Sequence, residues 1–132
     1  MYFARRDIMQ LIRQNSSSTR YKKRGSFMLI RKIWDESEKV ARKMLVERKE
    51  AETIAMGYVS VEKGNSTQVD THDNEEEIYV ILNGRAILMI GEEKQEVEPG
   101  MVAYVPRNKK HNMTCISDEN LEYLYFANWP KD

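Results

Sequence analysis

The stretch Gly64–Gly84, "GNSTQVDTHDNEEEIYVILNG", changes character halfway along. Its first part is polar and rich in turn formers. "EIYVILN" (77–83) then runs as a strand-length block of β-branched and aromatic residues, closed by an Asn-Gly pair. Working outward, the same alternation of short apolar runs and turn signals continues on both sides. "TIAMGYVSV" (53–61) precedes it; "RAILMIG", "KQEVEPG", "MVAYVP", "HNMTCI" and "LEYLYFANW" follow. "EKGN", "GEEK", "EPG", "PRNKK" and "SDEN" punctuate them. Short strands at such spacing, with no strand–helix alternation, predict an all-β sandwich or barrel. "IYVILN" and "AILMI" are apolar on both faces, where a half-exposed strand would alternate. One face fills the interior, and the other is expected to meet a second sheet or a second copy, hence a homodimer.

Upstream the signals weaken. "MLIRKIW" (28–34) is a strand candidate. "DESEKVARKMLVERKEAET" (35–53) is ambiguous, because Asp35 and Glu38 form a capping-box pattern while "KMLVER" suits a strand. "YFARRDIMQLIRQ" (2–14) has helix-like apolar spacing.

With 132 residues the chain fits one domain with a core of its own. The balance of 21 basic and 21 acidic residues conceals an asymmetry: residues 1–27 hold seven basic groups and one acidic, leaving 14 and 20 for the rest. The chain therefore divides into a basic N-terminal extension (1–27) and a barrel domain (28–132). The extension, with the linker-like "NSSSTRYKKRG", carries no base-reading motif, so nucleic acid is not an expected partner. It reads as a mobile or partner-docked arm, a reading that includes Met28 as the true start. One cysteine, Cys115, makes no internal disulfide and suits a reducing cytoplasm. No apolar run approaches the roughly 18 residues that span a bilayer, and no secretory signal is expected.

The chain has only two histidines, His72 and His111. Asp70 and His72 lie two apart and share a face on extended chain. Glu77 shares its face with Tyr79 and Ile81, and His111 with Met113 and Cys115. If these faces meet in one barrel, Asp70, His72, Glu77 and His111 converge, and imidazole with carboxylate suits Mn, Fe, Ni or Zn. On the residues alone, a solvated acidic turn is the simpler account.

Two spacings alter that balance. Gly64–Gly84 resembles the first cupin motif: Gly, five residues, His-x-His, three or four residues, Glu, six residues, Gly. "GMVAYVPRNKKHNMTC" (100–115) is similar to the second: Gly, five residues, Pro-x-Gly, two residues, His, three residues, Asn. The chain thus resembles a small single-domain cupin over about residues 53–127. The resemblance implies a jelly-roll β-barrel with a divalent metal inside, and places His72, Glu77 and His111 on ligand positions. Glu75 and Glu76 are then expected to face solvent.

Three positions depart from the pattern. Asp70 stands where the motif has its first His. If it binds, two carboxylates and two histidines balance a divalent ion. If not, two imidazoles and one carboxylate remain, the ligand set of non-haem iron sites. Asn108 replaces a Gly, and Asn accepts a left-handed turn. Cys115 replaces an Asn and reads as a core cysteine. Tyr79, Tyr104 and an unligated Asp70 are the candidate catalytic groups, while Arg107, Lys109 and Lys110 read as a solvated basic loop. The implied function is metal-dependent chemistry on a small polar molecule, a carboxylate or sugar derivative, in a family that includes dioxygenases, isomerases, lyases and decarboxylases. The alternative is a non-catalytic binding or sensing module using the same cavity.

Overall fold

A computed structural model describes residues 28–34 and 41–130. The helix expected over 2–14 and the capping pattern at Asp35 and Glu38 lie outside the described residues. Residues 28–34 carry one bridging residue, Ile30, in place of the expected strand. They fall in a unit separate from Ala41–Asp132.

The second unit is built of antiparallel strands: β1 (Arg42–Val46), β2 (Ile54–Val61), β3 (Glu76–Asn83), β4 (Ala86–Ile90), β5 (Glu93–Val97), β6 (Val102–Val105), β7 (His111–Cys115) and β8 (Leu121–Asn128). A single 3-10 turn, Arg48–Glu50, follows β1. The ambiguous "KMLVER" is therefore strand over Lys43–Val46, and its last residue, Arg48, opens the 3-10 turn. Five strands form one sheet in the order β1-β2-β8-β3-β6, and three form the other, β5-β4-β7. After β3 the chain changes sheet repeatedly, which is the jelly-roll path and explains why its turn signals seldom join neighbouring strands. The fold is all-β, as the alternating runs implied.

Register decides which residues meet. Gly57, Tyr125, Tyr79 and Ala103 form one cross-sheet row, and Val59, Tyr123 and Ile81 form the next. Both rows face inward, onto Leu88, Met113 and Cys115 of the smaller sheet. Burying a side chain such as Ile81 contributes about 1.5–3 kcal/mol. Two glycines serve close approach. A Cβ on Gly57 would fall inside the Tyr125 ring, and one on Gly84 (φ +71°) would overlap the Asn120 carbonyl. Gly84 thus lets the β3–β4 crossing pass beneath the start of β8.

The opposite face of the larger sheet is apolar too. Phe126, Ile78 and Tyr104 form one of its rows, and Leu124, Val80 and Val102 the next.

Candidate metal centre

The segment between β2 and β3, residues 62–75, has no strand of its own, yet it lies along the outer edge of β7. Gly64 N–H donates to the Cys115 carbonyl, Thr67 N–H to Met113, and Asp70 N–H to His111. In return, the Cys115 and His111 amides donate to the Asn65 and Asp70 carbonyls, and the Thr67 hydroxyl accepts from the Met113 amide. This strap carries His72 to the cavity. Its carbonyl accepts from the Asn108 N–H at 2.7 Å, and Asn108 holds a left-handed conformation, φ 65°. Asn thus supplies the turn the second motif needs, and the turn fixes His72.

His72, Glu77 and His111 each offer a ligand atom within 4.8 Å of the others. His72 Nε2 stands 3.4 Å from one Glu77 oxygen, and His111 Nε2 stands 3.6 Å from the other. These separations exceed those of good hydrogen bonds. They match ligand atoms of one ion, which at about 2.0–2.2 Å bond length lie roughly 3 to 3.5 Å apart. His111 Nδ1 lies 3.0 Å from the Lys109 carbonyl. A carbonyl only accepts, so Nδ1 carries the proton and Nε2 keeps its lone pair for a metal. Glu77 and His111 are buried. The donor set fits a divalent ion.

Asp70 faces the same cavity, of about 270 Å³. Its backbone pairs with His111, but its carboxylate lies outside the three-donor group. Tyr79 is buried beside the donors, its ring centroid 6.3 Å from that of His111. Burial, then the Glu77 charge, then more weakly that of Asp70, push the phenol well above its usual range. It is a proton donor at any physiological pH. Burial raises Tyr123 likewise, against an opposing pull from Arg42.

Tyr104 is elsewhere. It is 56% exposed on the outer face of β6, because Ala103 and Val105 take the inward positions; it is no cavity donor. Cys115 is core, its Sγ near the Ser117 and Glu119 carbonyls. Glu75 and Glu76 are not simply solvated. Glu75 lines the cavity and pairs with Arg48 at 3.0 Å, and Glu76 pairs with Arg107, which is thereby more than a solvated loop residue. Sequence reading missed the cavity wall built by Arg42, Arg48, Tyr123, Tyr125 and Trp129. Strand parity in "LEYLYFANW" was the available signal for the two tyrosines.

Comparison with known proteins agrees with this geometry. The family described as "Cupin domain" matches residues 57–126. An uncharacterized protein of Methanocaldococcus jannaschii is 36% identical over 73 residues, 55% of this chain and 57% of its own. One from Streptomyces coelicolor is 29% identical over 74 residues, 56% of this chain and 70% of its own. The match thus spans little more than half of the archaeal relative. Among solved structures, a predicted oxalate decarboxylase from Thermotoga maritima superposes with TM-score 0.63 at 19% identity, over 67% of this chain and 79% of that one. KdgF from Halomonas sp. superposes with TM-score 0.58 at 17% identity, over 67% and 78%. At these identities the structural likeness shows the fold alone.

Proposed function

The chain belongs to the cupin family, and from that premise we propose that its cavity holds one divalent metal on His72, Glu77, His111 and Asp70, and acts on a small polar molecule, a carboxylate or sugar derivative. The observation that carries this reading is the convergence of three donor residues within 4.8 Å, with the proton of His111 fixed away from the site. Asp70 enters as the fourth ligand because its backbone bridge to His111 keeps its charge within reach of Tyr79.

Bound there, a divalent ion of the Mn, Fe, Ni or Zn type would polarise substrate oxygens as a Lewis acid. The chain's own groups do the rest. Lys109 holds His111 in one tautomer, and Asn108 anchors the backbone of His72. Tyr79 keeps its proton and offers it to Glu77 or to a ligand oxygen. Arg48 lies over the Trp129 ring, 4.0 Å from its centroid, and with Glu75 shapes another part of the wall.

Elemental analysis of tag-free protein tests the reading. About one divalent metal per chain is expected, falling sharply in His72→Ala. Metal near zero after reconstitution, or unchanged in the variant, would overturn it.

The same proposal extends to a homodimer in the cytoplasm. The exposed apolar residues of the outer sheet face support the dimer, and the single buried thiol of Cys115 supports a reducing compartment. No helix among the described residues is long and apolar enough to cross a membrane.

A further inference from the structure

The strap beside β7 does not keep the ladder with which it begins. Ser66 lies opposite Thr114, and Asp70 opposite His111. Between these two bridges β7 advances by three residues and the strap by four. The surplus is a β-bulge, with Gln68 and Val69 set against Asn112 alone. The hydrogen bonds show where it starts. Around Ser66 they are regular: the Cys115 N–H donates to the Asn65 carbonyl and the Thr67 N–H to the Met113 carbonyl. A regular ladder would return the Met113 N–H to the Thr67 carbonyl, completing a doubly bonded pair. It goes instead to the Thr67 hydroxyl, at 2.9 Å. The next doubly bonded pair comes one strap residue late, between Asp70 and His111.

Side-chain direction depends on this slip. Residues directly opposite each other in a ladder share a face. The Ser66 and Thr114 hydroxyls meet at 2.6 Å on the exposed side, while His111 and Met113 are buried. Counted on from Ser66 without a bulge, Val69 would come opposite His111 and turn inward. Asp70 and His72 would then turn out, because a shift of one residue moves every side chain to the other face. The folded chain has the reverse: Val69 is 50% exposed, and Asp70 and His72 line the cavity. Thr67 and Gln68 both line it too, which marks the place where the alternation breaks. The regular register would gain a full backbone pair at Met113 and the burial of Val69, so something must hold the bulged one. Met113 is 1% exposed, and a buried amide left without an acceptor is costly. The Thr67 hydroxyl supplies the acceptor that the bulge takes away.

We propose that Thr67 is the register-setting residue of this site: its hydroxyl, standing in for its own carbonyl on the Met113 amide, holds the bulge that turns Asp70 and His72 into the cavity. The ligand roles of Asp70 and His72 rest on the metal reading above; the register does not.

Three full-length variants are compared with wild type. Thr67→Ser keeps the hydroxyl, Thr67→Val keeps the shape without it, and Thr67→Val with Gln68 deleted also removes the surplus residue. Cross-strand proton contacts are read first, by NMR on metal-free protein. Wild type and Thr67→Ser should show Asp70 opposite His111, and Thr67→Val should show Val69 there. Deleting Gln68 lets a regular ladder reach Asp70, so the third variant should bring Asp70 back to His111. Zinc titration follows. Thr67→Val should bind zinc roughly ten- to a hundred-fold more weakly, the range for loss of a supporting partner. Thr67→Ser should stay near wild type, and deletion of Gln68 should regain most of the affinity. A hydroxyl that only added stability would not be replaced by removing a residue. Asp70 still opposite His111 in Thr67→Val would overturn the proposal, whatever the zinc affinity, and so would a shifted register in Thr67→Ser. If Thr67→Val does not fold, the deletion decides: recovery of the fold with Asp70 opposite His111 supports the register, and failure to recover overturns it. A shifted register with unchanged zinc affinity would instead remove Asp70 and His72 from the ligand set. If zinc does not bind wild type, the metal reading falls, and the proton contacts alone judge Thr67.

Discussion

His111 donates from one ring nitrogen to the Lys109 carbonyl and turns the other toward Glu77, and that division of labour suits a buried histidine to the proposed ligand role. Asp70 is the residue whose role most divides the alternatives. As a ligand, its replacement in Asp70→Ala weakens metal binding, while Asp70→His keeps the metal by restoring an imidazole at that position. We expect the Asp70→Ala affinity to fall at least tenfold, the order seen when a ligand or its partner is lost. Isothermal titration with manganese or zinc reads this directly. Unchanged affinity in both variants would leave a three-residue site, with Asp70 as a cavity carboxylate. Loss of turnover in Asp70→Ala would then mark it as a general base, whereas loss of ligand affinity alone would mark a binding module. Glu77 was legible because its six-residue spacing to Gly84 singled it out from Glu75 and Glu76. The pairing of those two with Arg48 and Arg107 was not legible, since each partner comes from a distant turn that only the folded chain brings near.

At the scale of elements, β1, β2 and β8 meet around one missing side chain. The Tyr125 ring crosses Gly57, and its hydroxyl reaches the Met44 sulfur at 3.0 Å, so a residue of β8 touches β1 across β2. Gly57→Ala puts a methyl where the ring lies. The clash falls on the far end of a half-buried ring that also lines the cavity and can give way, and we expect a loss of about 1 kcal/mol, the low end of the range for overpacking. Chemical denaturation of Gly57→Ala, Tyr125→Ala and the double variant checks this. The glycine substitution should cost much less once the ring is gone, and additive losses would show that the contact is not the cause. Strand positions from "TIAMGYVSV" to "LEYLYFANW" were readable because each run is bounded by turn residues. The face each strand turns inward was read only where a motif residue marked it. Tyr123 and Tyr125 therefore escaped notice, though parity alone would have placed them together on one face of "LEYLYFANW".

For the whole molecule, the outer face of the larger sheet leaves Val102 65%, Tyr104 56%, Ile78 42% and Phe126 36% exposed. Adjacent in register, they form an apolar patch of the kind that marks an association surface. Sedimentation of the full chain at micromolar concentration should give a dimer, and Ile78→Lys with Val102→Lys should shift it toward monomer without altering metal content. A wild-type monomer would refute the dimer. The expectation of a second apolar face was sound at the level of pattern, because "IYVILN" does not alternate. Which partner covers that face is a question of surfaces that meet, and a single chain's periodicity does not carry it.

The strap along β7 gives this site a gauge. The amides of Asp70 and His111 donate into each other's carbonyls, at 3.1 and 3.0 Å, across the junction that carries two of the proposed ligands. Neither proton can exchange with solvent until the strap lifts, and lifting it draws Asp70 and, two residues further along, His72 away from His111. Backbone exchange at these two positions therefore reports the free energy needed to open the centre. An occupied centre, tying the strap to β3 and β7 at once, slows both protons together.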